Sequence, residues 1–139
     1  MTESAIIHAI KKIENLQMKK HSYNTLKRYN SGEKVHKKQM DFHKLAAKNR
    51  WVFGGNRSGK TECGAVETVW MARGVHPYRR NRESVFGWVV SVSFEVQRDV
   101  AQSNILYYLN PEWIADIIMH SGSKSSPSNG IIDTIIIKN

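Results

Sequence analysis

Trp51-Val52-Phe53-Gly54-Gly55-Asn56-Arg57-Ser58-Gly59-Lys60-Thr61 decides how this chain is read. A short apolar run, Trp51 to Phe53, predicts a buried strand. It enters the pattern G-x-x-x-x-G-K-T at Gly54, and Glu62 to Arg73 is compatible with a helix. Strand, glycine-rich loop and helix in that order make a phosphate cradle. Glycines let the backbone turn tightly, so that successive N–H groups aim at an anion. Lys60 is expected to reach the β- and γ-phosphates and the Thr61 hydroxyl to hold Mg²⁺. The helix adds its N-terminal partial charge. The residues expected against the nucleotide are therefore Gly55, Asn56, Arg57, Ser58, Gly59, Lys60, Thr61 and Glu62.

Outward from this loop, the order of elements predicts the fold. Upstream, Ile6, Ile7, Ile10, Ile13 and Leu16 recur at helical spacing, so residues 3–20 read as an amphipathic helix. Lys11, Lys12, Lys19 and Lys20 lie mostly off that stripe, as a solvated face or as an arm for DNA or a partner. Asn30-Ser31-Gly32 interrupts the pattern, and His36 to Ala47 reads as a second helix. Downstream, Gly74 is placed to end the loop's helix, with Pro77 just beyond. His76 to Glu83 is a basic loop, Val85 to Val92 a strand and Phe94 to Leu109 a helix. Pro111 opens a short helix through Met119. Ser121 to Gly130 is a loop rich in Ser, Gly, Pro and Asn, and Ile131 to Lys138 is a strand. Strands alternating with helices predict an α/β fold, with a mostly parallel sheet flanked by helices and ligands at the carboxyl ends of the strands.

The chain has 139 residues, of which 40% are hydrophobic and 24% charged, an ordinary globular balance. No apolar run reaches membrane-spanning length and no signal-peptide pattern opens the chain. The single cysteine, Cys63, excludes an internal disulfide framework. It reads either as a small packing residue or as a thiol acidified by its helix N-terminus. Net charge is +9, with 21 Lys and Arg against 12 acids, which favours a polyanionic partner such as nucleic acid. The basic residues crowd the first fifty positions and recur at Arg79, Arg80 and Arg82.

His36-Lys37-Lys38-Gln39-Met40-Asp41-Phe42-His43 stands shortly before the loop. With that spacing, H-x-x-Q-x-x-F-H, and with Gly-Gly-Asn-Arg-Ser-Gly-Lys-Thr, the chain resembles the ATPase domain of phage terminase large subunits, the genome-packaging motors. The resemblance covers about residues 33–138. It implies a P-loop NTPase-type sheet, with residues 1–32 as a basic amphipathic helical arm and 33–139 as the amino-terminal portion of the ATPase domain. ATP and Mg²⁺ are the implied ligands. By the resemblance Gln39 recognises the adenine edge, for which an amide offers one donor and one acceptor. Lys60 and Arg57 are the implied catalytic residues. Family members often carry the loop arginine one position earlier, where this chain has Asn56. Arg57 therefore reads either as a γ-phosphate contact or as an exposed arginine meeting an acid or DNA. Phe42 is expected to pack against the strand, and His36 and His43 to be structural.

Such a motor needs an acidic residue at the end of a buried strand for Mg²⁺ and a neighbouring carboxylate to activate water. No run of four apolar residues followed by Asp-Glu occurs in the sequence. Asp133 lies near the wrong end of its strand, and Asp116 in a predicted helix. The expectation is an incomplete ATPase domain, stopping before the strand that carries the pair and without the family's nuclease domain. It binds nucleotide and turns over little of it. The implied partners are double-stranded DNA, portal protein and small terminase subunit. The implied assembly is a ring of copies in the bacterial cytoplasm, transiently on a procapsid. Two other readings fit the motifs: a helicase-like ATPase or nucleotide kinase, with Arg79, Arg80 and Arg82 as a lid, and a non-catalytic DNA-binding or assembly module.

Overall fold

The computed structural model describes residues 3–22, 24–33, 35–124 and 126–138, with backbone alone for residues 3, 4 and 17–22. The side chains of Lys19 and Lys20 thus lie outside the described residues. Helix α1 spans Glu3–Ser22, α2 Thr25–Arg28, α3 Lys37–Lys44 and α4 Lys60–Arg73. A continuous helical run follows, made of α5 (Phe94–Val96), one wide-turned segment (Gln97–Gln102) and α6 (Ser103–Tyr108). Strands β1 (Ile114–Met119) and β2 (Ile132–Ile137) close the chain.

The sheet is not the expected one. Among the described residues the only paired strands are β1 and β2, and they are antiparallel. A mostly parallel, P-loop NTPase-type sheet is absent from them. Trp51–Phe53 and Val85–Val92 carry no strand pairing. Trp51 is 82% exposed, Phe53 90%, Phe86 97% and Trp88 86%. Apolar and β-branched residues favour a strand only where neighbours cover both edges and faces. Here both segments lack that cover, so their composition alone does not make them strands.

The predicted helix from Pro111 to Met119 is also corrected. Asn110 Oδ1 accepts from the Glu112 N–H at 3.0 Å, and Pro111–Trp113 form a single tight turn. Ile114 to Met119 then extends as β1. Its three isoleucines suit a pleated surface better than a helix, and β2 supplies the partner: Ile114 faces Ile137, Ile117 faces Ile135 and Met119 faces Ile132. The loop rich in Ser, Gly, Pro and Asn joins the two as expected. Buried Gln102 pins that loop, donating to the Pro127 and Gly130 carbonyls at 2.7 and 3.0 Å and accepting from the Ile132 N–H at 2.9 Å.

The core is small. Leu26, Ala65, Val66, Val69, Tyr108 and Leu109 form one cluster, with Tyr29, Trp70, Ile105, Trp113 and Ile135 packed against it. Positions 65, 66 and 69 put α4 at its centre, since residues three and four apart share a helix face. Fully burying each such Val or Leu contributes roughly 1.5–3 kcal/mol. Gly74 ends α4 in the left-handed region (φ 66°), and the N–H groups of Gly74 and Val75 return to Met71 and Trp70. The apolar stripe of α1, from Ile6 to Leu16, is 46–57% exposed and adds nothing to this core.

Candidate phosphate-binding loop and its buried support

The glycine-rich stretch forms a loop that delivers the chain into α4. Gly59 is the N-cap, in the left-handed conformation (φ 76°, ψ 14°), and Arg57 shares that region (φ 60°). Two left-handed residues with one residue between them turn the chain sharply just before α4. The Lys60 ammonium folds back onto the loop. It donates to the Gly54 carbonyl at 2.7 Å, the Gly55 carbonyl at 2.6 Å and Ser58 Oγ at 3.2 Å. Thr61 is exposed on the first turn of α4. Glu62, next along, accepts a hydrogen bond from the Tyr108 hydroxyl. Burial first, and the Glu62 carboxylate second, push the Tyr108 phenol above its ordinary pKa. The Asn56 and Arg57 side chains are exposed and make no hydrogen bond or ion pair among the described residues.

Helix α3 is packed behind the loop. Its N-cap is His36, whose Nδ1 accepts from the Gln39 N–H at 3.4 Å. Gln39 and His43 are one turn apart, so both face α4. Gln39 is buried, and its Nε2 donates to the Gly59 carbonyl at 3.0 Å. Its Oε1 accepts from Asn30 Nδ2 at 2.8 Å. The Gln39 amide therefore engages the protein at both ends. The Arg50 guanidinium lies over the Phe42 ring, 4.5 Å from the centroid.

His43 is fully buried and meets a partner that sequence reasoning missed. Its Nδ1–H donates to Glu67 Oε2 at 2.6 Å. The same oxygen accepts from His76 Nε2 at 3.0 Å. The other carboxylate oxygen takes Arg50 Nη2, with Arg79 Nε at 3.6 Å. Burial works to raise the Glu67 pKa, but hydrogen bonds from His43, Arg50 and His76 outweigh it and hold the carboxyl at about 2. Arg79 also donates to the Leu45 and Ala47 carbonyls at 3.0 and 2.9 Å. It is thus turned inward, while Arg80 and Arg82 stay exposed. The one sequence signal for this cluster was an acid, Glu67, among the apolar residues of an amphipathic helix.

His43, Glu67 and His76 bring ligand-type atoms within 4.8 Å of one another. Their donor set does not fit a metal ion. His76 Nδ1 accepts from the Tyr78 N–H at 3.1 Å, so its Nε2 carries the proton it gives Glu67. His43 Nε2 faces the Tyr29 hydroxyl at 3.0 Å, leaving Nδ1 as donor. A cation would have to replace both protons beside two guanidinium groups, against their repulsion. The cluster is a buried ionic clamp joining α3, the segment at Arg50, α4 and the turn at His76.

Cys63 lies one helical turn from Glu67, with Sγ 3.5 Å from His43 Nε2. Burial raises its thiol from 9.0 to about 11. Of the two readings open for Cys63, the structure selects the packing residue.

The acidic candidates lie on the hairpin, Asp116 in β1 and Asp133 in β2, and both are exposed. No described helix is long and apolar enough to cross a membrane. No protein-family model, no curated protein and no solved structure matches this chain.

Proposed function

We propose that this chain binds the phosphates of Mg-ATP through Gly54–Thr61, as the nucleotide-binding part of a terminase-like DNA-packaging motor. The observation that carries this reading is the Lys60 ammonium held on three oxygens of its own loop. Those acceptors are neutral. A phosphate oxygen is charged and accepts more strongly from an ammonium. The side chain therefore needs only a short movement to exchange loop carbonyls for phosphate, at the positive end of α4. Thr61 would hold Mg²⁺, which neutralises phosphate charge when bound. The loop and helix form a local unit, and this reading asks nothing of a parallel sheet.

In this reading the chain binds nucleotide and turns over little of it. Among the described residues no hydrogen bond or ion pair joins its hairpin acids, Asp116 and Asp133, to the loop, and Glu62 is engaged by Tyr108. Arg57 is exposed in the same loop, so it is available to a γ-phosphate or to DNA. The charge of +9 favours double-stranded DNA as partner, through contacts that weaken with salt. Portal protein, small terminase subunit, a ring of copies and a site of action in the bacterial cytoplasm and on a procapsid belong to the same proposal.

Titration calorimetry with Mg-ATP tests it. Heat is expected from the wild-type chain and none from Lys60→Ala, with both proteins folded by circular dichroism. Equal heats from the two, or none from either, would remove the phosphate-binding reading. A non-catalytic DNA-binding module is the second reading, favoured by the charge alone. DNA affinity that falls steeply with salt, with no nucleotide heat, would select it. The inward turn of Arg79 takes one arginine from the lid that a kinase would need.

A further inference from the structure

We infer that Gln39 is a positioning residue for the phosphate loop, acting through Gly59 and not through the base of a nucleotide. The inference rests on the reading that this loop binds phosphates, and it concerns what sets that site's specificity.

The amide orientation is fixed by its neighbours. Gly59 offers a carbonyl oxygen, which only accepts, so the Gln39 nitrogen must face it. Asn30 Oδ1 accepts from the His36 N–H, so the Asn30 nitrogen faces Gln39 Oε1. Asn30, Gln39 and Gly59 thus form a directed relay of side-chain amides. It starts at a left-handed turn residue (Asn30, φ 48°) and ends at the N-cap of α4. The Gly59 carbonyl also accepts from the Cys63 N–H at 2.9 Å, the first hydrogen bond of the helix. Gln39 therefore bears on the peptide group that aims the helix N-terminus and Lys60.

Contact reinforces the bond. A Cβ at position 59 would lie 2.5 Å from Gln39 Nε2, so the amide rests directly on Gly59. To read adenine, the amide must present a donor and an acceptor along one edge. Gln39 is 7% exposed and commits its oxygen to Asn30 and an N–H to Gly59. Turning it toward a base would break the relay and release the N-cap. Recognition is then by phosphate, and the base contributes little selectivity.

The experiment measures binding of ATP, GTP and inorganic tripolyphosphate, each with Mg²⁺, to wild type, Gln39→Ala, Gln39→Glu and Asn30→Ala. Gln39→Glu keeps the volume but turns an oxygen toward the Gly59 carbonyl. Native-state hydrogen exchange at the Cys63 amide is followed in parallel, without nucleotide. The expected result is similar wild-type affinity for all three ligands. Both Gln39 variants should weaken all three by one common factor, about three- to tenfold, the range of a single hydrogen bond. Asn30→Ala should do the same more weakly, and Cys63 exchange should speed up in both Gln39 variants. Loss of ATP binding alone, with GTP, tripolyphosphate and Cys63 exchange unchanged, overturns the inference in favour of adenine reading. Unchanged binding and exchange overturn it outright. Faster exchange with no wild-type binding of any ligand keeps Gln39 as the loop's support and removes the phosphate reading instead.

Discussion

The carboxylate of Glu67, on α4, receives the Nδ1–H of His43, on α3, at 2.6 Å, and both residues are buried. This bond fastens the helix behind the loop to the helix that the loop begins. Gln39 lies one turn before His43 and makes the second fastening, at Gly59. The placement of the loop is thus set from below by an ionic clamp and from beside by an amide.

Glu67→Ala should be among the most damaging single changes. It leaves the Arg50 guanidinium without its carboxylate in a buried setting, and Arg79 close by. Removing one partner of a buried ion pair costs about 3–5 kcal/mol. Urea unfolding is the measurement. A loss under about 1 kcal/mol would mean that the clamp is solvated and contributes as a surface pair does.

Acid should weaken the fold through the same residue. The Glu67 carboxyl is held at about 2 against an ordinary value of 4.5. A group with a depressed folded pKa binds more protons when unfolded, so its stabilisation is complete above about pH 4.5. It is lost as pH falls toward 2. The loss is on the order of 3 kcal/mol. Urea midpoints should fall as pH is lowered between those values, and Glu67→Gln should flatten the dependence.

Cys63 should resist alkylation in the folded protein. Its thiol is buried and raised to about 11, so thiolate is scarce at pH 8. Iodoacetamide labelling should track unfolding and accelerate sharply above the urea midpoint. Rapid labelling of native protein would mean that α3 detaches from α4.

Gly59→Ala should destabilise the chain and weaken Mg-ATP together. The left-handed backbone (φ 76°) costs an L-residue roughly 1–2 kcal/mol. The added methyl also meets Gln39 Nε2. In a double variant with Gln39→Ala the contact is relieved and the backbone strain remains, so part of the stability should return. Urea midpoints of the four proteins measure this coupling.

Two of the four tryptophans should report an aqueous environment. Trp51 is 82% exposed and Trp88 86%, whereas Trp70 and Trp113 pack against the core. Iodide should quench a long-wavelength emission component, and Trp51→Phe with Trp88→Phe should remove it. Absence of a quenchable component would mean that both segments are covered in solution.

Local features of the chain were legible without coordinates. The stripe at Ile6 to Leu16, the start of α4 after Gly59, its end at Gly74, the loop before Gly130 and the last strand all follow from signals within one turn or one hairpin. The left-handed backbone at Gly59 belongs with them, since glycine adopts it at no steric cost. Pairing was not legible, because an apolar run such as Trp51–Phe53 or Val85–Val92 does not say what lies on its edges. Pro111 suits the first turn of a helix, yet the isoleucines from Ile114 to Met119 pair with β2. The burial of Glu67 between two histidines and two arginines also came only with the fold. Those groups span positions 43 to 79, and a buried charge acquires its partners through space. So did the direction of the Gln39 amide, which depends on where Asn30 and Gly59 are brought.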